Sequence, residues 1–343
     1  MICTEARSIL EIDEARWNAV TDDVISMKHA WLRVMETQLR FFQPYYILLE
    51  DEQGPCAAVV ADLYLSFKHL GLFGWLRQRI SLALRPPFSS FCGVMVRPGL
   101  SLEAIMPDLD SVLRRLCRQE KKLVITVSNV GASELPAWQK AGFGAIPQRK
   151  AGFLYLPETY AQYRESLRAK DRGELGRAHR RGEKFNLHFD ASPRAEKDEQ
   201  IYALFDEVFT RHGTATEAIP LVPQFPTALE RELPENVHFV RGYSAEKLVG
   251  VGLCLQNKTT LWAPLIGMDY EIARPSYLYF LLIDATVRLG IDLGMQKLFL
   301  GKTNEHVKQR QGFQFEERWL CYRARFGPLN RILSRVLPLV LPK

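Results

Sequence analysis

The stretch from Asp269 to Arg310 holds a set of side chains that could move a proton or hold an anion. His306 has an imidazole whose ordinary pKa lies near neutrality, which suits a proton acceptor. Asp269 and Glu271 are rival bases, and Tyr277 offers a phenolic proton. Arg274-Pro275-Ser276 reads as a helix start, because proline at an early helical position wastes no donor. The free N–H groups and positive dipole end at Ser276 would suit an anion. Lys302, Lys308 and Arg310 add charge to the same neighbourhood. The alternatives are that Ser276 is only a cap and the cations only surface residues.

These residues need a scaffold, and the chain supplies one twice. Tyr45–Glu50, a polar turn at Asp51–Gly54 and Ala57–Ala61 read as a hairpin, as do Val237–Arg241, Ser244–Lys247 and Leu248–Gly252. Downstream, the front half predicts a helix (Leu109–Glu120), a strand (Lys122–Val127), a helix (Ser133–Ala141), then Gly142-Phe143 and a strand. The back half predicts the same order: Ser276–Leu293, Lys297–Leu300, Asn304–Gln311, then Gly312-Phe313 and a strand. Turn to glycine spans 88 residues in front (Gly54 to Gly142) and 66 behind (Glu246 to Gly312). The 22-residue difference is the length of Leu65–Pro86, which has no counterpart in the back half. A repeat of this kind points to duplication.

Composition sets the bounds. The 343 residues allow two domains of ordinary size, and 47% hydrophobic with 24% charged residues is normal for a globular chain. No run of about 18 apolar residues would cross a membrane, and Met1–Glu5 does not open a secretory signal peptide. The six cysteines form no CxxC pair and the seven histidines no HxxxH or HxH spacing, so no metal site is expected. The cysteines read as small buried hydrophobes of a reducing cytosol.

The repeated plan resembles the GNAT (Gcn5-related N-acyltransferase) fold, in the doubled form of the Fem-type peptidoglycan aminoacyltransferases. Leu298-Phe299-Leu300-Gly301-Lys302-Thr303, then Val307-Lys308, then Gly312, look like the end of such a domain. Ala137–Phe143 resembles the segment before the last GNAT strand, and the Arg-rich helix at 164–184 the opening of a second copy. The resemblance implies an α/β fold of mixed sheets in two tandem domains. These would be 1–158, with an amphipathic insert near 65–86, and 159–343, expected to be the catalytic one. The coenzyme A pyrophosphate loop, Q/R-x-x-G-x-G/A, is missing from both copies; Asp269–Ser276 stands in its place.

The activity so implied is transfer of an acyl group from a thioester, on coenzyme A or an acyl carrier protein, to an amine, with no metal. The acceptor would be a lipid or cell-envelope precursor. His306, Asp269 and Tyr277 would move protons, and Ser276, Lys302, Lys308 and Arg310 would hold the donor. A Fem-type enzyme drawing on aminoacyl-tRNA is the first alternative; a non-catalytic envelope- or membrane-binding protein is the second. Arg164–Lys184 carries eight Lys and Arg against four acidic residues, a phosphate rail or a solvated face. Segments 65–86 and 328–343 are apolar and basic with no Asp or Glu, so each suits a membrane interface, packing on its own domain or packing against a second subunit. The expected location is the cytoplasm, peripheral to the inner face of the membrane.

Overall fold

A computed structural model describes residues 1–39, 42–63, 80–196, 198–212 and 221–340. The chain forms two compact units. Unit 1 includes Met1–Lys150 and Glu317–Lys343; unit 2 includes Ala151–Gly213 and Pro220–Glu316.

Unit 1 contains β1 (Ile2–Ala6), α1 (Glu14–Thr21), α2 (His29–Gln38), β2 (Pro44–Asp51), β3 (Gly54–Asp62), β4 (Ser81–Leu84), β5 (Val94–Val96), α3 (Leu102–Gln119), β6 (Val124–Val130), α4 (Leu135–Lys140) and most of β7 (Gly144–Tyr155). Its strands run β1-β2-β3-β4-β6-β13, with β5 also on β3; β13 is Gln314–Ala324, which reaches unit 1 at Glu317. β4 and β6 pair in parallel, Ser81 opposite Val124 through Leu84 opposite Val127. The buried faces of β2, β3, β6 and α3 close one core, with Trp138 fully buried in it.

Unit 2 contains α5 (Tyr160–Ser166), α6 (Ala169–Glu183), β8 (Leu187–Ser192), α7 (Asp198–His212), α8 (Phe225–Glu232), β9 (Val237–Ser244), β10 (Lys247–Asn257), β11 (Thr260–Met268), α9 (Tyr270–Ser276), α10 (Leu278–Asp292), β12 (Lys297–Leu300) and α11 (Glu305–Gln309). The end of β7 joins it, and the strands run β7-β12-β11-β10-β9-β8. Helix α10 is apolar almost all round, as a helix buried in a core must be; Leu278, Leu282, Ile283 and Val287 are fully buried. α7 lies so close on β11 that a Cβ at Gly267 would stand 2.7 Å from the backbone carbon of Leu204.

The fold is thus mixed α/β, and the two β-hairpins expected at 45–61 and 237–252 form as β2–β3 and β9–β10. The compact units follow a different line from the 1–158 and 159–343 division of the repeat. β7, from the front copy, passes into unit 2 at Ala151, and β13, from the back copy, passes into unit 1 at Glu317. The insert is corrected at its end. Ser81–Leu84 is not part of an amphipathic helix but a strand buried between β3 and β6. A strand covered on both faces reads as a plain apolar run, so its periodicity is silent. Residues 64–79, which hold the rest of that expectation, lie outside the described residues. Helix α12 (Gly327–Val340) closes the chain. Among the described residues no helix is long and apolar enough to cross a membrane.

Candidate functional site

In unit 2 the parallel pair β11–β12 is hydrogen-bonded from Thr260 opposite Lys297 to Ala263 opposite Leu300, and there it stops. β11 continues to Met268, held on its other side by β10. Two features of the sequence end the pairing. Pro264 has no N–H to give. A bulge also falls here: Leu253 faces Leu265 and Leu255 faces Trp262, so Ala263 and Pro264 lie opposite Cys254 alone. β12 meanwhile ends at Leu300, and Gly301–Thr303 turns away into α11 with Asn304 left-handed at φ 54°. The two strands therefore part at Pro264 and Gly301.

Lys308 lies at that parting. It is 3% exposed, and its ammonium donates to the carbonyl of Gly301. Gly152 makes room for its stem: a Cβ there would meet Lys308 Cδ at 3.4 Å and a ring carbon of Phe315 at 3.3 Å. Burial alone pushes the ammonium down to about 7, because removal from water penalises the charged form. Lys308 was expected as a cation holding phosphate; its burial makes it instead an amine that is partly neutral at neutral pH.

The other residues of the 301–310 segment have their own partners. His306 is exposed on α11, and an Arg310 N–H lies 2.6 Å from its Nε2. That nitrogen accepts, so its lone pair is engaged. Arg310 in turn pairs with Glu174 of α6, so its charge is matched within the protein. Lys302 is half-buried in the bend after β12. Tyr279, in the first turn of α10, bonds to Thr303 and Asn304; burial raises its phenol pKa and outweighs those two bonds. Gln311 donates to the carbonyl of Phe280 at 2.9 Å, which ties the first turn of α10 to the end of α11.

The remaining expected residues fall elsewhere. Ser276 does not open a helix: fully buried at the end of α9, its hydroxyl donates to the Ile272 carbonyl at 2.6 Å. Pro275 lies inside α9, and the long helix α10 starts only at Leu278. Tyr277, between them, is left-handed at φ 62° and exposed, with the Arg181 guanidinium 5.4 Å from its ring centre. Arg181 also donates to the Pro275 carbonyl. Asp269 caps α9, accepting from the Glu271 N–H at 3.0 Å and from Lys247 at 2.8 Å. Burial would raise its pKa, but the Lys247 ammonium and the backbone donors outweigh it and hold the carboxyl below its ordinary range. That makes it a weak base. It is Tyr279, two residues beyond the expected Tyr277, that reaches the 303–304 bend. The signal that separates them is helix phase, which depends on where α10 begins. Among the described residues no three His, Cys, Asp or Glu side chains gather as metal ligands do.

Helix α6 runs beside this segment. Glu174 meets Arg310, and two turns on Arg181 meets Pro275 and Tyr277. Arg177 and Arg180 are exposed on it, and Lys184 is exposed just beyond its end.

Unit 1 has a parallel pair of the same kind, β4–β6, and among the described residues its end is occupied. Beyond Leu84 its own chain fills the place. Asn129, at the end of β6, donates to the Ser89 carbonyl at 2.7 Å; Arg318 donates to the Ser90 carbonyl at 3.2 Å; and the hydroxyls of Ser26 and Ser89 lie 2.9 Å apart. All five residues are buried.

Residues 166–309 match the family model of an acetyltransferase (GNAT) domain. No curated protein sequence matches the chain. Among solved structures, the chain is similar to the C-terminal domain of a protein assigned as a lysylphosphatidylglycerol synthetase from Agrobacterium fabrum, at 13% identity over 96% of each chain with a TM-score of 0.62. FemX is similar at 10% identity, over 97% of this chain and 100% of that one, with a TM-score of 0.60. A tandem GNAT protein from the clavulanic acid biosynthesis pathway gives 9%, 95%, 99% and 0.53 in the same order. At such identities the likeness is one of fold.

Proposed function

We propose that this chain, whose residues 166–309 match a GNAT domain and whose fold is similar to those of FemX and a tandem GNAT protein, moves an acyl group from an activated carrier to an amine, and that unit 2 does the chemistry. The observation that carries this reading is the parting of β11 and β12 beside the buried Lys308. The closed counterpart in unit 1 supports placing the chemistry in unit 2.

In this reading the acceptor amine attacks the donor carbonyl carbon at the parting. A C–N bond forms and the carbonyl electrons move onto oxygen. Backbone N–H groups of β11 beyond Pro264 that point away from β10 are preorganised to receive that oxyanion. Lys308, neutral in part, takes the proton the nitrogen loses. When the intermediate collapses, the carbon–sulfur or carbon–oxygen bond breaks, and Lys308 returns the proton to the leaving group. A base with a pKa near the working pH is the efficient choice for this exchange.

The donor is a thioester on coenzyme A or a carrier protein. The chain leading into α10 does not form the usual pyrophosphate cradle: it holds the carboxylates of Asp269 and Glu271, a buried Ser276 and a bulky Tyr277. The exposed arginines of α6 favour a second reading, an aminoacyl ester on tRNA, whose backbone a row of cations would follow. Both donors are made in the cytoplasm, which is why that location is part of this reading.

The test is turnover of a simple amine with acyl-coenzyme A, acyl carrier protein and aminoacyl-tRNA offered in turn. One donor should react, and Lys308→Met should lower kcat by roughly 100-fold or more with the donor still bound. If only tRNA reacts, Arg177→Gln with Arg180→Gln should flatten the salt dependence of its binding. Full activity in Lys308→Met would remove the lysine from the mechanism, and no turnover with any donor would favour a binding protein.

A further inference from the structure

The last helix of unit 1 has two different faces. On one, Leu333 of α12 packs against the buried Ile146, Leu320 and Tyr322. Its start is fixed by Asn330, whose side chain accepts from the Ala324 N–H at 2.6 Å. The other face is exposed among the described residues. Ile332, one position and so about 100° round from Leu333, is 57% exposed, and Phe326, just before the helix, is 53% exposed. Around them stand Arg331 and Arg335, both exposed, with the Arg325 guanidinium 5.3 Å from the Phe326 ring centre. From Arg318 to Lys343 there is no Asp or Glu. The other long surface helix of this unit, α3, carries Glu103, Asp108 and Asp110, so freedom from acid is a property of this segment.

We infer that this face of α12 lies on an anionic lipid surface, with Phe326 and Ile332 entering the boundary of the acyl chains and the arginines meeting headgroup phosphates. The charge pattern selects the occupant. Two copies of the chain paired through this face would set arginine against arginine, which works against a symmetric dimer. A lipid headgroup layer offers the opposite sign to every cation and apolar depth to the two exposed side chains between them. The inference concerns attachment and stands apart from the chemistry of unit 2.

The experiment is flotation of the full chain with vesicles of phosphatidylcholine alone or with added phosphatidylglycerol. Binding is expected only with the anionic lipid and should weaken as salt is raised. Arg331→Gln with Arg335→Gln should weaken it by roughly 25-fold, at about fivefold per cation. Phe326→Ser with Ile332→Ser should abolish it without changing the melting temperature, because both side chains are already exposed. The inference is overturned if the chain ignores anionic vesicles, or if both variants bind as the parent does, which would move the contact to another part of the protein. It is equally overturned if the parent is a dimer in sedimentation without lipid and the apolar variant is a monomer.

Discussion

The ammonium of Lys308 donates to the main-chain oxygen of Gly301, the first residue after β12, and almost none of it reaches solvent. A lysine held this way costs the fold stability while it is charged. Its folded pKa, about 7, lies below the value of about 10.4 expected in the unfolded chain. Between those two values the unfolded chain binds the proton and the folded one does not, so stability rises with pH across that window. The full penalty, on the order of 4 kcal/mol, is present below pH 7. Urea unfolding of the parent and of Lys308→Met near pH 6 and near pH 9 checks this. The variant should be the more stable at the lower pH, by about 1–4 kcal/mol, and the gap should shrink at the higher pH. A constant gap would show that Lys308 keeps its proton throughout.

Unit 1 makes the opposite use of the same strand pair. Asn129 is left-handed at φ 63°, 3% exposed, and holds the Ser89 carbonyl at 2.7 Å. Asn129→Ala should cost about 1–3 kcal/mol, the penalty for a buried carbonyl left without its donor. Asn129→Ala should leave the KM for the donor unchanged, because in our reading the donor meets unit 2. A fall in stability with a matching loss of donor affinity would show that the filled cleft of unit 1 contributes to binding.

The repeat was legible because hairpins and strand–helix–strand runs carry local periodicity, and both β2–β3 and β9–β10 formed where their turns were expected. β4 was not, since Ser-Leu-Ala-Leu is equally good in a buried strand and in a helix. Pro275 pointed to a helix start, yet it sits late in the seven-residue α9, where the helix is about to end in any case. In the candidate site, local sequence placed His306 and Arg310 in contact and set Lys308 back on Gly301, because α11 and the bend before it are a short local stretch. Which of them is buried depends on Gly152 and on β7 lying beside β12, a pairing between residues about 145 apart in sequence. The exchange of β7 and β13 between units is likewise a long-range outcome that no local pattern announces.

Two tyrosines two residues apart give the sharpest comparison. Tyr279 bonds to Thr303 and Asn304, in the bend that carries Gly301 and leads into the helix of Lys308. Tyr277 is exposed and touches Arg181 through its ring face. Replacing Tyr279 by Phe removes a hydroxyl that orders the bend, and should cost about 0.5–1.5 kcal/mol of stability. If the bend positions Lys308, the same change should lower kcat more than it raises KM, because a misplaced base affects the step in which the proton moves. Tyr277→Phe keeps the ring that stacks with Arg181, so stability and kcat should both stay near those of the parent. The pair is read by steady-state kinetics and urea unfolding on both variants. The reverse outcome, a loss of kcat confined to Tyr277→Phe, would restore Tyr277 as the proton donor and remove Tyr279 from the site.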